Sequence, residues 1–235
     1  MEITLLSVLA LGFLLGIKHA IEPDHVIAVS TIASKSKKLW DASLAGVFWG
    51  IGHTATLFTL GIILILMKGD LSDKWSMTLE FLVGIMLVYL GITSLLSSKK
   101  NKQQAHLEEE HPENEQPEID YLENKPVNKK EQSYLKSLFI GFVHGLAGSA
   151  AMVLLTMSTV NTVWQGSLYI LIFGVGTTIG MLVFTTILGL PFVLSKKRLT
   201  LSRNLIMATA MISVLFGVYY MYNLGFNEGL FRLWM

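Results

Sequence analysis

Residues 137–195 read SLFIGFVHGLAGSAAMVLLTMSTVNTVWQGSLYILIFGVGTTIGMLVFTTILGLPFVLS, 59 consecutive positions without an Asp, Glu, Lys or Arg. One helical crossing of a bilayer takes about 20 apolar residues, so this run alone holds two. A soluble fold has no place for it. The rest of the chain agrees. Of its 235 residues, 52% are hydrophobic and only 15% charged, against about 25% charged in ordinary soluble domains. The charges are also segregated: 16 of the 35 acidic and basic residues, seven Lys and nine acids, lie between Lys99 and Lys136. The chain reads as an all-α integral membrane protein.

Working outward from that run, six hydrophobic segments appear. The first spans residues 3–34 and is interrupted by Lys18–His25. The others are Ala42–Met67, Met77–Ser98, Ser137–Thr159, Val163–Ser195 and Asn204–Asn223. The opening Met1-Glu2-Ile3-Thr4 lacks a basic region, and Lys18 and His19 stand where a signal cleavage site would fall, so the first segment reads as a membrane helix. Counting Lys and Arg near segment ends puts 14 on one side and 3 on the other. By the positive-inside rule, residues 99–136 face the cytoplasm and both termini face outward, in a multi-pass protein of the cell membrane. The linker's density of Glu, Lys, Asn, Gln and Pro predicts disorder.

The halves before and after that linker, 1–98 and 137–235, resemble each other. Gly16-Ile17-Lys18-His19 aligns with Gly141-Phe142-Val143-His144. Trp40, Ser43, Leu44, Gly50, Gly52 and Thr54 align with Trp164, Ser167, Leu168, Gly174, Gly176 and Thr178 at a constant offset of 124. Three helices per half force the second copy to be inverted. The expected fold is six transmembrane helices in two inverted three-helix repeats, with helix 1 broken at Pro23. Inverted repeats place substrate near the midplane, at discontinuous helices.

Composition excludes several functions. Zero cysteine removes disulfides, thiolate metal sites and thiol–disulfide relay. A net charge of +1 makes no case for nucleic acid. No G-x-x-x-x-G-K-[ST] element is present, so nothing points to nucleotide hydrolysis.

Chemistry concentrates in His19-Ala20-Ile21-Glu22-Pro23-Asp24-His25. Ionisable groups at membrane depth usually mark a pathway or a ligand. On an unbroken helix His19 and His25 would point about 120° apart. Pro23 removes the partner of the His19 carbonyl, so a broken segment can gather His19, Asp24 and His25 and offer a free carbonyl. Imidazole and carboxylate without sulfur suit first-row divalent ions. A polar kink with Lys18 paired to Glu22 would use the same residues without a metal. His53, in the middle of the second segment, has Thr177 as its repeat partner, so this histidine belongs only to the half that carries the cluster. His144, the repeat partner of His19, lines a pathway or is structural. His106 and His111 sit in the polar linker, where solvation is the simpler reading.

These residues carry a resemblance. His19-Ala20-Ile21-Glu22-Pro23-Asp24-His25 resembles the H-x4-D-H signature of the nickel/cobalt transporter family, usually H-A-x-D-A-D-H; Glu22 and Pro23 replace the usual Asp and Ala. His53 matches that family's G-H-[ST] element. Phe142–Ser149 resembles the corresponding element of the urease-accessory, UreH-type branch. The resemblance implies a permease for Ni2+ or Co2+ in which His19, Asp24 and His25 are essential and His53 tunes selectivity. The 3+3 layout is also similar to that of thiol-redox membrane proteins, whose chemistry this cysteine-free chain lacks.

The expected function is therefore secondary transport of Ni2+, with Co2+ as the other candidate, in the direction of uptake. The metal is substrate, and no resident cofactor is expected. The candidate metal residues are His19, Glu22, Asp24, His25, His53 and His144. Three alternatives use the same ligands: an exporter, an intramembrane metalloenzyme with Glu22 as base, and a metal sensor signalling through the linker. Partners are the metal ion and the bilayer; the sequence leaves oligomeric state open.

Overall fold

Pro23 decides the first turn of the structure. In the computed structural model, which describes residues 5–36, 38–67, 72–110, 134–147 and 162–235, helix α1 (Leu5–His19) stops four residues before Pro23 and α2 (Pro23–Ala33) starts on it. The two are bent by 58°. Proline is favoured at the first helical position, where its missing N–H is not needed. It also holds Glu22 in extended backbone, φ −63° and ψ 146°. The break falls where it was expected, with one difference. The His19 carbonyl is not free, because it accepts the Glu22 N–H at 3.1 Å in the connecting turn.

The helices that follow are α3 (Leu39–Met67), α4 (Asp73–Glu110), α5 (Tyr134–Ala147), α6 (Val163–Leu194), α7 (Leu199–Tyr222) and α8 (Leu230–Trp234). A 3-10 turn (Ser195–Lys197) precedes α7 and a π-helical turn (Asn223–Asn227) follows it. Thr162 caps α6, its hydroxyl accepting the Gln165 N–H at 3.2 Å. All regular structure among the described residues is helical. Four spans are long and apolar enough to cross a membrane: α3, Asp73–Ser98 of α4, α6 and Thr200–Asn227. Counted as one broken span, α1 and α2 make a fifth. Helix α5 covers 14 described residues, about 21 Å against a ~30 Å hydrocarbon core; most of the rest of that expected segment lies outside the described residues. The chain is a multi-pass membrane protein.

Helical structure continues into both ends of the expected linker. Helix α4 runs past Ser98 to Glu110, because the added stretch is rich in Lys, Gln, Ala, Leu and Glu, all good helix formers. Helix α5 already begins at Tyr134. Residues 111–133, with His111, lie outside the described residues.

Among the described residues, helices α3 and α6, α4 and α7, and α1 and α6 pack extensively on one another. Missing side chains let them touch. A Cβ on Gly16 would strike the carbonyl of Phe173 on α6, and one on Gly141 would strike the carbonyl of Trp49 on α3. Gly91 and Gly217 repeat the relation: a Cβ on the first would lie 2.7 Å from the Ala210 oxygen, and on the second 2.8 Å from the Gly84 oxygen. Each contact has a counterpart 124 to 126 residues away. Small residues at such crossings are how helices approach closely without a hydrophobic driving force. Ala28, Trp49, Leu87 and Met181 fill the centre, fully buried. Leu6, Leu14, Ile187 and Leu215 stand exposed on the outside, an apolar surface that suits lipid.

Candidate metal centre

The bend between α1 and α2 does what a straight helix would not. His19, at the end of α1, and His25, in the first turn of α2, bring their ring centroids to 4.4 Å. His53 enters from the middle of α3, with its ring 5.2 Å from both. His144 enters from α5, 4.2 Å from the His25 ring. His25, His53 and His144 are each at most 1% exposed.

Asp24 lies among them. One carboxylate oxygen accepts the His25 N–H at 3.0 Å and faces His25 Nδ1 at 3.1 Å. The other faces His144 Nε2 at 2.9 Å. A carboxylate only accepts, so we assign the protons of these contacts to His25 Nδ1 and His144 Nε2. His19 lies at the edge of the cluster: its Nδ1 pairs with the half-exposed Glu22 at 2.9 Å, and its Nε2 lies 3.1 Å from His53 Nε2.

Three ring nitrogens are left over. His25 Nε2, His53 Nδ1 and His144 Nδ1 are buried without a hydrogen-bond partner among the described residues. Leaving a buried polar atom unsatisfied costs about 1–3 kcal/mol. A carboxylate that holds the far nitrogen of an imidazole is the usual support of a metal-binding histidine. The donors form two groups, His19/His25/His53 and Asp24/His25/His144, and within each group the ligand atoms lie within 4.8 Å of one another.

All six residues singled out from sequence thus fall in one place, but not in equal positions. Glu22 is 49% exposed, touches His19 and belongs to neither group. It does not pair with Lys18 as a simple polar kink would have it. His106 falls on the α4 extension, and its side chain lies outside what the structure describes. Two residues that sequence reasoning missed complete the walls. The Trp49 ring lies 5.0 Å from His25 and 5.1 Å from His144, and stacks at 5.8 Å on His53. Phe173 lies 5.4 Å from His19. Both carried a signal. Trp49 precedes His53 by four positions, which puts them on one helical face, and Phe173 is its partner at the same 124-residue offset. These aromatics cover His25, His53 and His144, and burial of this kind strengthens charge interactions.

Known proteins are similar to this chain in sequence. A family model described as the cytochrome c biogenesis protein transmembrane region matches residues 7–219. The urease accessory protein UreH of Bacillus sp. (strain TB-90) is 58% identical over 100% of this chain and 99% of its own length. A putative nickel/cobalt efflux system of Methanocaldococcus jannaschii is 30% identical over 79% of this chain and 76% of its own. The chain belongs to the nickel/cobalt transporter family, in its UreH-type branch. A chloroplast protein of Arabidopsis thaliana, FOR GROWTH AND FERTILITY 1, is 28% identical over 76% of this chain and 48% of its own length. No solved structure matches. Within this family, a chain with zero cysteines has imidazole and carboxylate as its strongest transition-metal donors, which the centre gathers.

Proposed function

We propose that the chain is a secondary permease that takes up Ni2+, with Co2+ as its second substrate, through the centre built by His19, Asp24, His25, His53 and His144. One observation carries this reading. Four imidazoles and one carboxylate gather in an aromatic-walled space, and three of the imidazole nitrogens are buried with no other partner among the described residues. Nitrogen and oxygen donors without sulfur favour Ni2+, Co2+ or Zn2+ over softer ions. The names of the relatives, nickel/cobalt transport and a urease accessory role, point to the same metal and to a carrier rather than an enzyme.

The architecture we infer is two inverted three-helix repeats, 1–98 and 137–235. The paired glycine contacts support it, because reciprocal contacts at nearly the same offset, 124 to 126 residues, are what a two-fold relation between halves produces. Rocking one half on the other would expose the centre to each side in turn. The protein sits in the cell membrane with both termini outside and the linker in the cytoplasm. The membrane potential would drive entry of a divalent ion by about 4.6 kcal/mol per 100 mV, twice the single-charge value.

The test is accumulation of radiolabelled Ni2+ in cells expressing wild type or His25→Ala, with Co2+ and Zn2+ as competitors. Raised accumulation that the substitution abolishes is expected. A second reading, export through the same centre, is favoured by the relative named a putative efflux system. It would show as lowered accumulation restored by His25→Ala. No difference among wild type, variant and empty cells would overturn nickel transport.

A further inference from the structure

The two donor groups share a single residue. His19, His25 and His53 all lie in the half before the linker, at the end of α1, the start of α2 and the middle of α3. The group Asp24, His25 and His144 reaches across to α5, in the half after it. His25 presents Nδ1 to Asp24, which leaves its buried, unpartnered Nε2 as the nitrogen for His19 and His53. A neutral imidazole carries one N–H and one lone pair. His25 therefore serves one group at a time.

We propose that the centre is two overlapping stations for one metal ion, His19/His25/His53 and Asp24/His25/His144, and that the ion steps between them by exchanging which nitrogen of His25 it occupies. This rests on the proposed transport reading. In the step the bonds to His19, His53 and His25 Nε2 break and bonds to Asp24, His144 Nε2 and His25 Nδ1 form. Water, reaching the centre past the part-exposed His19 and Asp24, takes the proton from His25 Nδ1 and returns one to Nε2, so the ring stays neutral. Water likewise carries the His144 proton from Nε2 to Nδ1, the nitrogen that now has no partner among the described residues, and no net proton is gained or lost. The first station is complete within one half of the protein. The second exists only while His144 of the other half is near Asp24. Movement between halves would therefore make and break the second station and leave the first intact.

This arrangement gives a signature that a single composite site cannot. Full-length protein, purified in detergent, is titrated with Co2+ and its visible absorption recorded. The same variants are assayed for radiolabelled Ni2+ flux in cells. Wild type binds one ion. His53→Gln and His144→Gln, close in size to histidine and able to hydrogen bond, each still bind one ion with affinity within about tenfold of wild type, less than the 10–100-fold loss typical of a disturbed metal site. Their Co2+ spectra differ from each other, since different donors remain. Both lose at least tenfold in flux, because each lacks one end of the relay. The double variant binds no ion.

Loss of binding in either single variant, or identical Co2+ spectra in the two, would overturn two stations in favour of one composite site. Near wild-type flux in either single variant would overturn the relay. His25→Gln separates this inference from the reading beneath it. Wild-type Co2+ binding in that variant would remove the centre itself, whatever the behaviour of His53 and His144. Matching elution of all variants on size exclusion establishes that they fold.

Discussion

His144 Nε2 and Asp24 Oδ2 lie 2.9 Å apart, across 120 residues of sequence and between the two halves of the chain. The other oxygen of the same carboxylate holds His25 through its backbone N–H and its ring. Asp24 therefore orients two histidines at once. Its geometry ties the break in the first span to α5.

That double role sets the first expectation. Asp24→Asn keeps the size of the side chain but leaves one acceptor oxygen, so one of the two imidazoles must face an amide N–H. Outer partners of metal-binding histidines are worth 10–100-fold in affinity, and here two are disturbed together. Ni2+ binding by isothermal titration should weaken by at least about tenfold, more than in His144→Gln. Equal affinity in Asp24→Asn and wild type would remove Asp24 from the centre.

Glu22 offers a graded comparison. It holds only His19 and is 49% exposed, so water can replace it when Glu22→Gln weakens the contact. The expected loss of Ni2+ affinity is a few-fold, below the 10–100-fold range of buried outer partners. A loss as large as that of Asp24→Asn would mean that Glu22 is itself a ligand.

The glycine crossings predict symmetric damage. Gly16→Val and Gly141→Val each drive a side chain into a backbone carbonyl of the facing helix, which cannot give way as a flexible side chain can. Overpacking of this kind costs about 1–3 kcal/mol, and both variants should lose thermal stability in detergent to a similar extent. Gly189→Ala meets side-chain atoms alone, the Ala42 methyl at 3.0 Å and a Leu39 methyl at 3.5 Å, and should lose much less. Unequal effects at Gly16 and Gly141 would argue against equivalent packing of the halves.

Thr56 reports the strength of the α3–α5 contact. Its hydroxyl lies 2.9 Å from the Phe142 carbonyl and 3.1 Å from that of Gly52 on its own helix. It has one proton, so losing it removes about one interhelical hydrogen bond. Such bonds average about 0.6 kcal/mol within membranes. Thr56→Val should therefore lower thermal stability only slightly and leave Co2+ binding unchanged.

Lys35, in the turn between α2 and α3, gives a pH dependence. Burial and the neighbouring Lys136 lower its pKa from 10.5 to about 8. The folded state thus disfavours the charged form. That penalty is fully present below pH 8 and is relieved as pH rises from 8 towards 10.5. Wild-type stability, followed by thermal unfolding, should gain over this window relative to Lys35→Gln. Parallel curves for the two would place Lys35 in ordinary solvent.

Much of the fold was legible from composition because a bilayer imposes one-dimensional rules. A run of 59 uncharged residues must cross it as helix, since unpaired backbone groups have no water there. Pro23 marked the break for an equally local reason, its missing N–H. The extension of α4 to Glu110 was obscured by charge density, which reads as disorder even when the residues favour helix.

The centre divides differently. The residue types, their concentration between His19 and His25, and the suitability of nitrogen and oxygen donors for a divalent metal were all written in the chain. The sharing was not. Nothing in sequence assigns His144 to Asp24, or turns one nitrogen of His25 to Asp24 and the other away. Nor does sequence wall the centre with Trp49 and Phe173. These depend on the 58° bend and on how closely glycines let α3, α5 and α6 approach. Such distances are set by packing between segments more than a hundred residues apart, and periodicity within one segment carries no information about them.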